Sequence, residues 1–352
     1  MMEKPFPGAC MFPHFPSQLK IEPVYGCDKR CPFCTLANAI TDLKDITYMD
    51  GTLYEKIVKE CDGKDLKKIG YGVHGEPTMH PEFLSMIKQM RIAVPSSVIT
   101  TATNGRELRK RGDASFLLDL MAAGCNNIIL DAYESQTYEI FCKDQNRIMQ
   151  VAEVHSGDDT SAFRQRKGNH IVVNNPKVAM FDQQRKNKTL NTMGTSMRYE
   201  VWQKYGINPG QFPVEKPCAE LHQYMTIKAD GKVPVCCADG SRSMFIGDVN
   251  ENSIKEIWTG RNADVMRWAL VRRLRGLLLP CYACHRVSSR AGLWPHWGKE
   301  YTKDEIKEVV RKIAKPSKHW MKNMKALHQE KETWDFMYEI LMANWNILEK
   351  DQ

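Results

Sequence analysis

Short apolar runs alternate with longer amphipathic ones over the first 130 residues. Residues 19–25 (LKIEPVY), 67–73 (KKIGYGV), 96–102 (SSVITTA) and 126–131 (NNIILD) are rich in strand-forming residues and lead into Gly, Asn or Asp, so each predicts a β-strand. Between them, MDGTLYEKIVKECDG and PEFLSMIKQMRI repeat apolar residues every three or four positions, as in Phe83, Met86, Ile87 and Met90, which predicts helices with one buried face. Repeated strand-then-helix units imply an α/β fold with a parallel sheet, open or barrel-like, whose functional loops lie at the C-terminal strand ends.

The pattern is harder to read over residues 132–185, where HSGDDTSAFRQRKGNH predicts an exposed loop before the strand HIVVNN. Beyond residue 200 the composition shifts: all eight tryptophans and five of the twelve cysteines fall there, so a second module is expected to begin near 205–215. The tail from residue 302 reads as helices interrupted at Pro316, with Trp334, Met337, Leu341 and Trp345 on one apolar face.

A chain of 352 residues with 42% hydrophobic residues supports one large domain with an appendage, or two ordinary domains. The N-terminal MMEKPFPGACMFPHFP is broken by prolines and lacks the apolar run of a signal peptide, and no stretch approaches the length of a membrane helix, so a cytoplasmic, non-membrane protein is expected. In such a chain twelve cysteines point to metal or redox chemistry rather than to disulfides. The net charge of +8 owes much to Arg261–Arg290, which reads as a solvated helix face or as a surface for nucleotides, nucleic acid or an acidic peptide.

The cysteines form two groups. Cys27, Cys31 and Cys34 crowd the loop after the first predicted strand, and three soft thiolates suit iron-sulfur or zinc chemistry. A structural zinc would need a fourth ligand, for which His74 or His80 is available. Farther on, Cys218 and Cys236 flank two short β runs joined by an ADG turn at Gly231, and Cys281 and Cys284 make a C-x2-C pair, together enough to close a tetrahedral or cubane site. Cys237 is an alternative to Cys236, and zinc is an alternative to iron. Cys10, Cys61, Cys125 and Cys142 stand apart and read as small buried residues. Asp239 and His285 adjoin candidate ligands and read as supporting groups, so no catalytic acid or base is named.

The segment CDKRCPFC resembles the C-x3-C-x2-C signature of the radical S-adenosylmethionine (radical SAM) superfamily, with the usual aromatic, Phe33, before the last cysteine. The resemblance implies that Cys27, Cys31 and Cys34 hold a [4Fe-4S] cluster whose open iron binds S-adenosylmethionine. Reductive cleavage would then give a 5'-deoxyadenosyl radical that abstracts hydrogen from substrate. HGEPTMHPEF is similar to the family's cofactor-binding turn and implies that Gly75, Glu76 and Pro77 meet the methionine amino group. TATNGREL and IILDAYES likewise imply Asn104 and Asp131 near the cofactor, and TLNTMGTSM is only weakly similar to a later family segment.

The second cysteine group, with its FIGDVNENSIKEIWTG bridge, resembles the SPASM or twitch extension of these enzymes. That implies one auxiliary [4Fe-4S] cluster on Cys218, Cys236, Cys281 and Cys284, stabilised by Arg272, Arg273, Arg275 or Arg286. The implied architecture is a partial (β/α)6 TIM-like barrel over 19–210 after an N-terminal extension (1–18), a cysteine-rich module (211–295) and C-terminal helices (296–352). The implied activity is that of an oxidoreductase or maturase acting on a peptide or protein, with an electron donor such as flavodoxin or ferredoxin. Modification of a nucleotide or DNA base is the rival activity, and a non-enzymatic zinc protein is the rival class.

Overall fold

The computed structural model describes residues 13–31, 34, 36, 45–156, 168–174, 213, 216–284, 300–329 and 335–344. Its centre is a parallel sheet built from β1 (Gln18–Ile21), β4 (Lys68–Tyr71), β5 (Val98–Thr103), β6 (Asn127–Asp131), β7 (Glu153–Ser156), β8 (His170–Asn174) and β9 (Tyr224–Ile227), in the order β7-β8-β6-β5-β4-β1-β9. Six of the seven strands come from the segment expected to form the partial barrel. The seventh, β9, comes from the cysteine-rich segment and pairs in parallel with β1, Gln18 facing Tyr224 and Ile21 facing Ile227.

The predicted first strand divides. Pro23 has no backbone N–H to continue a ladder, and the chain leaves the main sheet so that β2 (Val24–Tyr25) pairs antiparallel with β3 (Thr47–Tyr48). The turn at Gly231 forms as expected, with Gly231 N donating to the Lys228 carbonyl at 2.9 Å. The runs it joins nevertheless serve different sheets: β9 joins the large one, and β10 (Lys232–Pro234) pairs antiparallel with β11 (Phe245–Asp248).

Helices cover the sheet with the faces the periodicity marked. Helix Gly51–Cys61 is capped by Asp50, whose carboxylate accepts from Thr52 N at 2.9 Å, and buries Leu53, Tyr54 and Ile57. Helix Phe83–Ala93 buries Phe83, Met86, Ile87 and Met90. Each such side chain contributes about 1.5–3 kcal/mol on leaving water. Cys61 and Cys125 are buried, but Cys142 is exposed, because the helix Ser135–Met149 turns it away from the face of Ile140, Phe141 and Ile148. In the tail, helices Lys303–Ile313, Lys318–Gln329 and Asp335–Ala343 follow one another, and Trp320 Nε1 donates to the Leu279 carbonyl at 3.3 Å. Met337 and Leu341 are buried as the apolar stripe requires, whereas Trp334, Trp345, Cys10, Phe33, His285, Arg286 and the 189–197 segment lie outside the described residues.

Candidate functional site

The loops after β1/β2, β4, β5 and β6 emerge from the C-terminal ends of neighbouring parallel strands, the edge at which α/β sheets place their ligands. They carry Cys27, His74 to Pro77, Asn104 and Asp131 to one region. Close backbone approach holds them together: Glu76 N donates to the Gly26 carbonyl at 2.8 Å. A Cβ at Gly75 would lie 1.8 Å from the Val24 carbonyl oxygen, so no larger residue fits that crossing. One at Gly26 would lie 2.6 Å from Ile46 Cγ1.

Within the cysteine loop, Cys34 N donates to the Cys31 carbonyl at 2.9 Å, and the three thiols share one electrostatic neighbourhood with the Tyr133 phenol. Cys27 Sγ accepts from Lys29 N at 3.4 Å and from Asn104 Nδ2 at 3.5 Å. Burial pushes the Cys27 thiol up to about 12 and the Cys31 thiol up to about 11. Without a cation these groups therefore keep their protons at neutral pH, and metal binding must displace them. The two histidines available for a Cys3His zinc site are engaged elsewhere. His80 turns Nε2 to the Met49 carbonyl at 3.0 Å and Nδ1 to Glu82 N at 3.2 Å, and His74 faces Glu22 and Lys228.

Glu76 is buried and joins three elements. Its Oε1 accepts from the Thr78 and Thr103 hydroxyls at 2.6 Å each, and its Oε2 accepts from Asn104 N at 2.7 Å. Burial pushes this carboxyl above the usual range, and those donors oppose the shift. The side chain thus braces the turn, with Pro77 opening a short 3-10 turn over Pro77–Met79 behind it. Asn104 Nδ2 in turn reaches Asp28 Oδ1 at 2.8 Å, and Asp131 Oδ1 accepts from Asn174 Nδ2 at 2.5 Å.

Sequence reasoning missed two further groups. Arg109 contacts Asp28 at 3.3 Å and Glu134 at 3.1 Å and donates to the Asn104 carbonyl at 2.8 Å, tying the cysteine loop to the turns beside it. At the ends of β1, β4 and β9, fully buried Glu22 and Lys228 lie 3.5 Å apart, with Lys228 Nζ 3.0 Å from His74 Nδ1. Against the cost of burial, Lys228 and His74 hold the Glu22 carboxyl below its usual range. Single charges far apart in sequence carry no spacing signal, so neither group was legible beforehand.

The second cysteine group lines one small pocket, formed by Cys218, Cys236, Cys281 and Cys284 with Glu220, Arg275 and Pro280. Buried Arg275 donates to the Cys284 carbonyl at 2.9 Å. Four thiols with one guanidinium fit a thiolate-ligated centre of net negative charge. Cys237 does not line the pocket itself; its thiol accepts from Lys20 Nζ at 2.9 Å, meets Glu220 Oε1 at 3.2 Å and hydrogen-bonds with the Cys236 thiol. The expectation of a solvated basic face fails in part. Arg267 is buried with its guanidinium 4.1 Å over Trp258 and Arg275 faces the pocket, whereas Arg261, Arg273 and Arg272, the last paired with Glu300 at 2.8 Å, are exposed.

Residues 218–287 match the family model of the SPASM iron-sulfur cluster-binding domain, and they carry all four cysteines that line the cavity. This stretch is similar to the SPASM domain. Among solved structures, the chain is similar to BtrN in complex with AdoMet and 2-DOIA, at 16% identity and a TM-score of 0.56 over 78% of this chain and 95% of that one. Other matches are SuiB of Streptococcus suis bound to precursor peptide SuiA (15% identity, TM-score 0.37, 70% of this chain and 65% of that one) and anSMEcpe with bound AdoMet (11%, 0.35, 95% and 100%). At such identities the likeness to BtrN concerns the fold alone. No curated protein sequence matches the chain. Among the described residues, no helix is long and apolar enough to cross a membrane.

Proposed function

We propose that the chain is a radical SAM enzyme of the oxidoreductase or maturase type, holding one [4Fe-4S] cluster on Cys27, Cys31 and Cys34 and an auxiliary [4Fe-4S] cluster on Cys218, Cys236, Cys281 and Cys284. The observation that carries the reading is the split of the thiols into two sets of different size. Three lie in one loop at the strand ends, and four line one pocket in the stretch that matches the SPASM model. Three protein ligands leave one metal position for a small molecule, whereas four satisfy a centre that only passes electrons.

When bound, the first cluster supplies reductive cleavage of S-adenosylmethionine and the removal of a hydrogen atom from substrate. The chain's own groups prepare that site. Gly75 permits the crossing of two backbone segments, Glu76 braces the adjacent turns, and Asn104 orients both Cys27 and Asp28. Arg275 offsets the charge of the four-thiolate centre from within the wall of its cavity. Phe33 and Asp131 belong to the same proposed cofactor site through the family motif, and residues 19–210 and 211–295 are the proposed core and SPASM units.

For the substrate we favour a peptide or protein, in the cytoplasm, with flavodoxin or ferredoxin as electron donor. The rival nucleotide or DNA substrate is less favoured, because among the described residues of the basic segment Arg267 and Arg275 turn inward and Arg272 pairs with Glu300, while Arg261 and Arg273 remain exposed. The test is formation of 5'-deoxyadenosine by the anaerobically reconstituted protein with S-adenosylmethionine and dithionite. We expect product from the wild type and none from Cys31→Ala. A wild type carrying about eight irons that makes no 5'-deoxyadenosine contradicts the reading.

A further inference from the structure

A third cluster of metal-ligating side chains lies at the far edge of the sheet. On β7, Glu153 and His155 are two residues apart and so project to the same face, and Glu153 stands opposite His170 of β8 in the ladder. Their donor atoms converge. His155 Nε2 is 3.3 Å from His170 Nδ1 and 3.6 Å from Glu153 Oε2, and His170 Nδ1 is 3.5 Å from the same carboxylate oxygen.

The near-equal sides of that triangle match the spacing of ligands around a single metal ion. Zinc holds imidazole nitrogen and carboxylate oxygen at about 2.0–2.2 Å in a tetrahedron, whose edges are then about 3.3–3.6 Å. The three observed separations fall on that edge length. The chemistry of the donors agrees, since two imidazoles with one carboxylate suit zinc or a similar divalent transition metal and contain none of the soft sulfur that marks the cysteine centres. Burial is graded in a useful way. His170 is buried, His155 is largely covered and Glu153 is exposed, so two ligands are held by the fold while the third side opens to solvent for metal entry.

The placement separates this site from the proposed chemistry. Glu153 and His170 begin their strands, whereas the three-cysteine loop lies at the opposite, C-terminal ends. Among the described residues β7 is also the outermost strand of the sheet, paired with β8, so a cation shared by the two would fasten that edge. We propose that Glu153, His155 and His170 form a divalent transition-metal site, of zinc type, that clips β7 to β8 and leaves a fourth position for water or another donor.

The test uses the full chain, anaerobically reconstituted with iron and then equilibrated with zinc and dialysed. Zinc and iron per chain are measured for the wild type, His155→Ala and Glu153→Gln. The proposal expects about one zinc in the wild type, lost from His155→Ala and bound at least tenfold more weakly by Glu153→Gln, with iron unchanged in all three. Zinc-edge X-ray absorption of the wild type should show only nitrogen and oxygen neighbours near 2.0 Å. Equal zinc in wild type and His155→Ala, no zinc retained by the wild type, or a sulfur shell near 2.3 Å overturns it. Because iron is counted in the same samples, failure here leaves the two-cluster reading standing, and failure of that reading shows in the iron alone.

Discussion

Lys20 Nζ lies 2.9 Å from Cys237 Sγ, across the seam where β1 of the core meets the SPASM segment. The same ammonium pairs with Glu220 at 2.7 Å and sits 4.1 Å over the Tyr224 ring. Cys237 thus bonds across the seam, while its neighbour Cys236, with which it also shares a hydrogen bond, lines the pocket.

The two adjacent cysteines should therefore behave differently. Cys236→Ala is expected to lose the auxiliary iron, about four per chain, whereas Cys237→Ala should keep it. Iron analysis with low-temperature EPR of the reduced proteins distinguishes them, and equal loss in both would show that either thiol can be the ligand.

Glu76 accepts from two threonine hydroxyls and from Asn104 N in a buried setting. Removing the acceptor in Glu76→Ala leaves those donors unsatisfied and should cost roughly 2–4 kcal/mol of stability. Because the same bonds set the position of Asn104, S-adenosylmethionine binding should weaken along with it. Denaturation and equilibrium dialysis together check both effects. Normal cofactor binding in a destabilised variant would confine Glu76 to a packing role.

Burial raises the Asp131 carboxyl to about 6, with Asn174 opposing the shift. A carboxyl raised above its unfolded value near 4 binds its proton more tightly in the folded chain, so stability present at low pH is lost as pH rises through about 4 to 6. That contribution is at most roughly 3 kcal/mol, from a shift of about two pH units. Asp131→Asn should flatten this part of the curve of urea midpoint against pH. An unchanged slope would assign it to other groups.

The arginines of the segment 261–290 divide by environment. Arg267→Ala removes a buried guanidinium that covers Trp258 and donates to the Leu221 carbonyl at 3.1 Å, and should cost roughly 2–4 kcal/mol. Arg272→Ala breaks an exposed ion pair and should cost about 0–1 kcal/mol. Duplex DNA binding measured at several salt concentrations should show no steep dependence, whereas a slope equivalent to several phosphate contacts would restore the nucleic-acid reading.

Much of this was legible in the sequence where one local rule governed the outcome. The stripe of Phe83, Met86, Ile87 and Met90 went to the core because helical spacing and burial agree. The seven candidate cysteines fell into the two groups that their spacing marked. What stayed hidden depends on contacts between distant segments. Nothing local in LKIEPVY says that Val24 will pair with Tyr48 rather than extend β1, and nothing in YMTI says that it will join the core sheet. Glu76 is a further case: its motif did not show that the side chain would join three elements through hydrogen bonds with Thr78, Thr103 and Asn104. The pairing of Lys228 with Glu22 spans the whole core and left no trace in spacing.

The central claim is that two independent iron-sulfur centres share this chain. Its most direct test is iron and acid-labile sulfide per chain after anaerobic reconstitution, in the wild type, in Cys27→Ala/Cys31→Ala/Cys34→Ala and in Cys281→Ala/Cys284→Ala. The account predicts about eight irons in the wild type and about four in each variant, with S-adenosylmethionine perturbing the EPR signal of the second variant only. About four irons in the wild type, unchanged in either variant, would contradict it.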